Sequence, residues 1–230
     1  MKTNMKTVTR SSLIVLALAL AAPIPRCAAG QAEVSHLKGN SMSVAFSATN
    51  ECYELDGYLF FVEELTKDSP PSAPAQFNQC GIAYTILDTC TGWLVSNVEG
   101  FAPPQSDTVS TNLSSAQMTQ QVQGFDFIYG QSANIQMNLS WTASSGDAVT
   151  QVKTRLKQNG LTLVGNFSGR IRDAVVNGTL LSSGSFPVSL TFSNCVVSGT
   201  VSNQPVTSTA DDCIAQIASL LDSTITITRP

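Results

Sequence analysis

Histidine is nearly absent from this 230-residue sequence, which contains a single one, His36. A Ser-His-Asp triad needs a placed imidazole, and most zinc sites need several imidazoles or thiolates, so both classes of site are disfavoured. The sequence also lacks a G-x-S-x-G nucleophile motif, a Walker loop, a dinucleotide fingerprint and an EF-hand loop. We therefore expect no metal site and no cofactor. The scarcity of histidine and the missing motifs together favour a protein without enzymatic activity.

Long apolar runs are confined to the N-terminus. Three basic residues precede the apolar segment from Leu13 to Ala22, and Cys27-Ala28-Ala29 places small residues at positions −3 and −1 of a cleavage site before Gly30. This order is typical of a secretory signal peptide, and the apolar run is too short to anchor the chain in a bilayer. We expect residues 1–29 to be a signal peptide cleaved near Ala29, and the protein to be exported to the periplasm or outside the cell. Because no later segment resembles a transmembrane helix, we expect a protein that does not span the membrane.

Basic residues are also scarce, and they become scarcer after cleavage. Removal of residues 1–29 takes four of the 12 Lys and Arg residues and none of the 16 Asp and Glu residues, which leaves a net charge of −8. Such an acidic protein is a poor candidate for binding nucleic acid or an anionic membrane surface. The partner is unknown, and an exported protein is expected to meet cell-envelope or surface components.

The remaining length suits one β domain over residues 30–230, because about 200 residues can bury a sizeable core. A polar, proline-containing stretch at residues 101–130 leaves two alternatives open there. It is either an irregular crossing within a single domain or a boundary between two parts.

Five cysteines follow the signal peptide, and this odd number predicts two disulfides and one free thiol. The segment between Cys80 and Cys90 resembles a strand that would span roughly 33 Å, so these two cysteines cannot bond to each other. If Phe60 lies opposite Ile82 in an antiparallel pair, Cys52 comes opposite Cys90. The alternative is that all the thiols stay reduced. We expect Cys52–Cys90 and Cys195–Cys213 disulfides, with Cys80 free and buried.

The strongest local signal for a β-hairpin is Asn159-Gly160, which lies between two segments of alternating apolar and polar residues. Asn-Gly favours a two-residue turn because both positions need φ > 0. Such a turn sets the register, and it separates an apolar face from a polar one. The expected pairs are Val152 with Phe167, Thr154 with Gly165, and Leu156 with Leu163. We expect this hairpin to be the rigid centre of the fold.

Further turns and one helix are predicted around this hairpin. A turn at Ser145-Gly146 would place the preceding strand beside it, with Trp141 next to Thr150. A second Asn-Gly turn is expected at Asn177-Gly178. At about residues 209–221, a capping box of Thr209 and Asp212 precedes an apolar stripe at helical spacing, which predicts a short helix.

These elements predict an all-β fold. The expected architecture is an antiparallel β-sandwich or distorted barrel of about nine strands, with one short C-terminal helix at about 209–221.

Two groups of charged residues are candidates for a functional site. Glu54 and Asp56 are two residues apart on a predicted strand, so their carboxylates share a face at a separation of roughly 7 Å. That spacing is compatible with a glycosidase pair or a hard-cation site, and it is also common on a solvated strand. Lys153, Arg155 and Lys157 form a cationic face that suits an anion, or that simply prevents edge-to-edge aggregation.

The leading hypothesis is an exported, non-enzymatic β-protein with a ligand-binding, partner-binding or surface structural role. One alternative is a cell-envelope hydrolase that uses Glu54 and Asp56. Another is a barrel that encloses an apolar ligand on the side of Trp141, Val152 and Phe167.

Overall fold

The computed structural model describes residues 32–67, 75–146, 148–158 and 161–228. The expected signal peptide, residues 1–29, lies outside the described residues. Antiparallel strands dominate the described part, in agreement with the predicted all-β class, although thirteen strands are present instead of about nine. The strands are β1 (Ala32–Thr49), β2 (Tyr53–Lys67), β3 (Ala75–Asp88), β4 (Trp93–Ala102), β5 (Ser106–Val109), β6 (Ser115–Asp126), β7 (Gln131–Ala143), β8 (Ala148–Gln158), β9 (Leu161–Ser183), β10 (Val188–Ser193), β11 (Val196–Val201), β12 (Gln204–Thr207) and β13 (Cys213–Thr228).

The hydrogen-bonded strands close into rings, as expected for a distorted barrel. One ring runs β1-β13-β9-β7-β6-β4-β3-β2 and returns to β1. A second runs from β9 through β10, β11 and β12 to β1. The two rings share β1, β13 and β9, while β5 pairs with β6 and β8 pairs with β9. Ring closure leaves few exposed sheet edges, which suits a fold made almost entirely of strands.

The predicted register of the β8–β9 hairpin is confirmed. Val152 lies opposite Phe167, and Leu156 lies opposite Leu163. The last pair, Gln158 with Leu161, leaves two residues for the connection, as a two-residue turn requires. Asn159-Gly160 itself lies outside the described residues.

The expected hairpin between β7 and β8 is wrong. Strand β9 is 23 residues long, so β8 pairs with its first half and β7 pairs with its second half. Trp141 therefore lies opposite Val176 and not beside Thr150. Ser145 does not turn the chain back, because the segment around it is bonded to β9, where the Asp173 N–H donates to Ser145 Oγ at 3.0 Å.

Asn177-Gly178 is also not a turn, because β9 continues through it. Gly178 has φ +130°, and it lies opposite Leu139 of β7. A Cβ atom at this position would overlap the carbonyl oxygen of Asn138, so the two backbones approach too closely for any side chain. The Asn177 side chain accepts a hydrogen bond from the Asn194 N–H at 2.9 Å and so stabilises the β10–β11 turn. The Asn-Gly signal here reflects close strand packing.

The predicted helix at 209–221 is wrong as well. A single 3-10 turn covers Ala210–Asp212, and β13 begins at Cys213. Thr209 and Asp212 do form the expected capping interaction, with the Thr209 N–H donating to Asp212 Oδ2 at 3.0 Å. Strand pairing prevails beyond it because β13 has neighbours on both sides, β1 and β9. The two rows of inter-strand hydrogen bonds override the helical spacing of the apolar residues.

The side chains that point into the rings form one contiguous core. Strand β6 shows the alternation most clearly, since every second residue is buried from Ala116 to Asp126. Trp141 is fully buried, and its indole Nε1 donates to the carbonyl oxygen of Ser43 at 3.0 Å. Phe46 packs at right angles against Phe192, with 5.0 Å between the ring centroids. The predicted inward alternation therefore produces a closely packed interior.

Both expected disulfides, Cys52–Cys90 and Cys195–Cys213, are present. Cys80 is free and buried, as predicted. The register used to place the first disulfide is wrong by one residue, because Ile82 lies opposite Leu59. The disulfide still forms because Cys52 and Cys90 lie beyond the last strand pair, in the adjoining turns.

Candidate functional site

Four connections between strands meet at one end of the strand rings. They are residues 50–52, 89–92, 127–130 and 184–187. The first two are joined by the Cys52–Cys90 disulfide and by a hydrogen bond from the Thr89 N–H to the Cys52 carbonyl oxygen at 2.7 Å. The other two meet where Phe186 packs against Tyr129, with centroids 5.9 Å apart, and Phe186 also contacts Tyr53. The four connections therefore form one continuous surface.

Two of these connections are ordered by a side chain that accepts backbone N–H groups. Asp88 Oδ1 accepts from the N–H groups of Cys90 and Thr91 at 2.9 and 3.0 Å. Asn50 Oδ1 accepts from the N–H of Tyr53 at 2.7 Å, and Asn50 Nδ2 donates to the Pro205 carbonyl oxygen at 2.8 Å. Asn and Asp favour such turns because their short side chains replace backbone hydrogen bonds.

The third connection, residues 127–130, is held in place by Asp126, the last residue of β6. Asp126 is buried, with only 2% of its surface exposed. Its Oδ1 accepts from the N–H of Ile128 at 2.9 Å, and its Oδ2 accepts from Ser96 Oγ at 2.8 Å. The Phe127 N–H donates to the Asn97 carbonyl oxygen at 2.9 Å. A buried carboxylate with several donors is well satisfied, so it holds the β6–β7 connection in one conformation.

Large apolar side chains are exposed on the β6–β7 connection and on the neighbouring ends of β4 and β6. Nine such side chains are exposed in the described part of the chain, and six of them lie at or beside this end. Trp93 is 73% exposed and Phe127 is 56% exposed. We call this surface the aromatic loop patch; it consists of Trp93, Leu94, Phe125, Phe127, Ile128 and Tyr129. Exposed apolar groups that are clustered and held rigidly mark interaction sites more often than scattered ones do.

The aromatic loop patch lies in an acidic environment. The segments 50–56, 88–99, 125–131, 183–187 and 202–205 contain no Lys, Arg or His. They contain six acidic residues, of which Asp126 is buried and Glu51 and Glu99 are exposed. The field of this end therefore favours cations over anions.

The predicted carboxylate pair lies next to this end of the molecule. Glu54 and Asp56 are both half-buried on the outward face of β2, so they share a face as expected. Asp56 lies between Ser47 of β1 and Thr85 of β3. No group of three or more His, Cys, Asp or Glu residues in the described ranges could hold a metal ion. A catalytic role for the pair stays a prediction.

The predicted cationic face lies on β8. Lys153 and Arg155 are exposed, and they lie opposite Asn166 and Val164 of β9. The side chain of Lys157 lies outside the described residues. Anion binding at this face also stays a prediction.

The sequence contains a signal for the aromatic loop patch, and this signal is an apolar run in a turn rather than the alternation of a strand. Phe127, Ile128 and Tyr129 form an apolar run that ends at Gly130, in a position where turns are normally polar. The position of Trp93 just after the Asp88 turn is a weaker signal of the same kind. Only the folded chain shows that these residues lie at the same end.

No known protein family, no curated protein and no solved structure matches this chain. None of the described residues belongs to a helix with the length and apolar character needed to cross a membrane.

Proposed function

We propose that the protein is an exported binding protein without enzymatic activity, and that its aromatic loop patch docks a basic surface of a protein partner in the cell envelope or at the cell surface. The observation that carries this proposal is the exposure of six large apolar side chains on the β6–β7 connection and on the adjoining ends of β4 and β6, at an end of the molecule whose connections Asn50, Asp88, Asp126 and a disulfide hold in place.

The composition of the patch supports a protein partner. Trp and Tyr are enriched among the residues that dominate protein interfaces, because their rings bury a large area with few rotatable bonds. Here Trp93 and Tyr129 present such rings to solvent. Since the surrounding turns are already ordered, binding does not have to pay for ordering them.

The charge supports a basic partner. Glu51 and Glu99 are exposed beside the patch, and no cation in the same segments competes for them. Complementary charge steers encounter and selects the partner. Arginine side chains also bind over Trp and Tyr rings through cation–π contacts. In this proposal Glu54 and Asp56 contribute to the acidic field rather than to catalysis.

The exposed Trp93 provides a direct assay, because the second tryptophan, Trp141, is fully buried. We would titrate the protein with a short peptide that alternates Arg and Tyr, and follow tryptophan fluorescence. The expected result is a saturable blue shift that weakens as salt is added, since salt screens exposed charges. Trp93 would be the group that changes environment.

Variants and control ligands test the specificity of this response. Tyr129→Ser should weaken binding of the Arg-Tyr peptide at least about tenfold if it is an interface hot spot. Leu181→Ser is the matched control, because Leu181 is 44% exposed on β9 and outside the patch. Saturation by a Glu-Tyr peptide would contradict the basic partner, and saturation by a neutral glucose oligosaccharide instead of the peptide would indicate a carbohydrate ligand.

Export is the second part of the proposal. The signal-peptide pattern at residues 1–29 and the two disulfides both support it, since disulfides persist in oxidising compartments. We propose that residues 30–230 are the exported form. The intact mass of protein recovered from outside the cytoplasm should correspond to cleavage near Ala29, and recovery of the uncleaved chain from the cytoplasm with reduced cysteines would contradict export while leaving the peptide assay valid.

A further inference from the structure

The cationic face on β8 has the opposite charge to the aromatic loop patch. Residues 148–158 and the strand segment paired with them, 161–171, contain four Lys or Arg residues and no Asp or Glu. Lys153 and Arg155 are exposed there. The segments around the aromatic loop patch have the reverse composition, with six acidic residues and no Lys, Arg or His. One chain therefore presents both a basic and an acidic surface.

Strand β9 places these two surfaces far apart. Its last residue, Ser183, adjoins the connection 184–187 at the patch end. Arg155 lies opposite Val164, which is 19 residues earlier in the same strand. At about 3.3 Å per residue, this separation is about 60 Å of strand. Because β9 is hydrogen-bonded to its neighbours along this length, the patch of a chain cannot reach the cationic face of the same chain.

The rows of residues across the sheet contain no carboxylate that would neutralise the cationic face. Lys153 lies opposite Asn166 of β9, which lies opposite Thr224 of β13. Asn166 Nδ2 donates to Thr224 Oγ1 at 3.5 Å, and Thr224 lies in turn opposite His36 of β1. The row of Arg155 continues through Val164, Thr226 and Val34. The charges of Lys153 and Arg155 are therefore left for a partner to complement.

The second edge of β8 shows which contact between copies is unfavourable. Strand β8 pairs with β9, and no other strand of the described residues pairs with it. Such an edge can pair with the same edge of another molecule, and basic residues on it oppose that pairing because like charges repel. Two copies are therefore not expected to join through β8 on both sides. An acidic surface, in contrast, is attracted to the same residues.

We propose that the basic partner of the aromatic loop patch is a second copy of this chain, whose cationic face on β8 receives the patch head to tail. This inference rests on the proposed function and names the partner. Arg155 is suited to the exposed ring of Tyr129, because guanidinium groups bind over aromatic rings. Glu99 is exposed and lies opposite Phe125 of the patch, where it complements the charge of Lys153.

This contact predicts assembly beyond the dimer. Its two surfaces are different, so each docked copy still presents one unused patch or one unused cationic face, and the assembly closes into a ring or continues as an open chain. Sedimentation velocity of the full exported chain, with both disulfides intact and at low salt, measures the assembly. The average sedimentation coefficient should rise with protein concentration past the value of a dimer. It should fall when salt is added, since salt screens exposed charges.

Two variants each remove one of the surfaces. Tyr129→Ser alters the patch, and the double variant Lys153→Ser with Arg155→Ser alters the cationic face. Each should weaken self-association at least about tenfold, through loss of a ring contact or of complementary charge. Leu181→Ser is the matched control, because Leu181 is exposed on β9 outside both surfaces, and its self-association should equal that of the wild type.

An equimolar mixture of the two variants distinguishes a head-to-tail contact from a symmetric one. At a concentration where each variant alone is a monomer, the mixture should form a one-to-one complex, because the intact patch of one variant meets the intact cationic face of the other. The complex should not grow further, since its remaining surfaces are the altered ones. A symmetric contact needs the same surface on both copies, so mixing would not restore it.

Three results would overturn the proposal: a wild type that stays monomeric at every concentration, association that stops at a dimer, or a mixture of the two variants that stays monomeric. Binding of the Arg-Tyr peptide by a protein that does not self-associate refutes the second copy and leaves the basic partner standing. Absence of both kinds of binding contradicts the proposed function as well. Near-ultraviolet circular dichroism confirms that each variant is folded, and Phe127→Ser replaces Tyr129→Ser if the latter does not fold.

Discussion

Gly178 is the position where a single added methyl group should reveal the strand packing. It lies within β9 at φ +130°, and a Cβ atom there would overlap Asn138 O and lie 2.9 Å from Leu139 Cα. Both obstacles are backbone atoms of β7, which cannot rotate away. A residue forced into glycine-only backbone space costs about 1–3 kcal/mol. Displacement of a packed strand adds about 1–3 kcal/mol, so Gly178→Ala should lower the free energy of unfolding by about 2–6 kcal/mol.

Urea unfolding measures this loss directly. With an m-value of about 2 kcal/mol/M, the midpoint of Gly178→Ala should fall by about 1–3 M. Gly146→Ala is the control, since no atom lies within 4 Å of a Cβ built at Gly146 and its midpoint should stay near that of the wild type. Gly178→Asn sharpens the test, because a turn tolerates Asn at positive φ whereas this strand does not. Equal midpoints for the Gly178 and Gly146 variants would refute the close approach of β7 and β9.

Three further predictions concern the disulfide, the core and the cationic face. Replacement of both Cys52 and Cys90 by Ala should cost about 4 kcal/mol in the chain-entropy model, measured by urea melts, and a loss below about 1 kcal/mol would contradict the constraint. Burial raises the pKa of Tyr84 to about 12, so folding favours the neutral phenol and stability should fall as the pH rises from about 10 to about 12. Tyr84→Phe should reduce this loss of stability, measured by urea melts across the same pH range. An unchanged dependence of stability on pH would contradict the assignment to Tyr84. Lys153→Ser and Arg155→Ser should each change stability by less than about 0.5 kcal/mol, because both side chains are exposed, and larger losses would mean that this face is covered.

Local signals in the sequence predict those parts of the fold that depend on neighbours in the chain. The register at Asn159-Gly160 follows from a two-residue turn, and the disulfides follow from cysteine number and reach. The same Asn-Gly pair at 177–178 misleads, because Gly178 is required by a strand 39 residues earlier in the sequence. A short sequence motif such as Asn-Gly shows which backbone conformations its residues favour. It does not show which distant strand will lie beside them.

The C-terminal segment shows how tertiary context reverses a sound local prediction. The apolar residues around Ile214 and Ile217 have helical spacing, and the Thr209 N–H does donate to the Asp212 carboxylate, as in a capping box. Four successive residues, 215–218, are nevertheless buried, because both faces and both edges of β13 are covered. A strand buried on every side loses the alternation by which strands are usually detected.

The aromatic loop patch could not be predicted as a site for a related reason. Trp93 and Phe127 are 34 residues apart in the sequence, and only the order of β3, β4 and β6 brings their turns to one end. The apolar run before Gly130 is visible in the sequence, but its exposure depends on Asp126 being held in the core below it.

The sharing of β1, β13 and β9 between the two strand rings has a consequence for how the molecule opens. Each shared strand is hydrogen-bonded along both edges over much of its length, so neither ring can separate without breaking the other. Amide protons in these strands should be the last to exchange with deuterium, at rates set by global unfolding, while those of the β11–β12 hairpin exchange through local opening. The exposed side chains of the aromatic loop patch can therefore vary in sequence without weakening the part of the molecule that limits its lifetime.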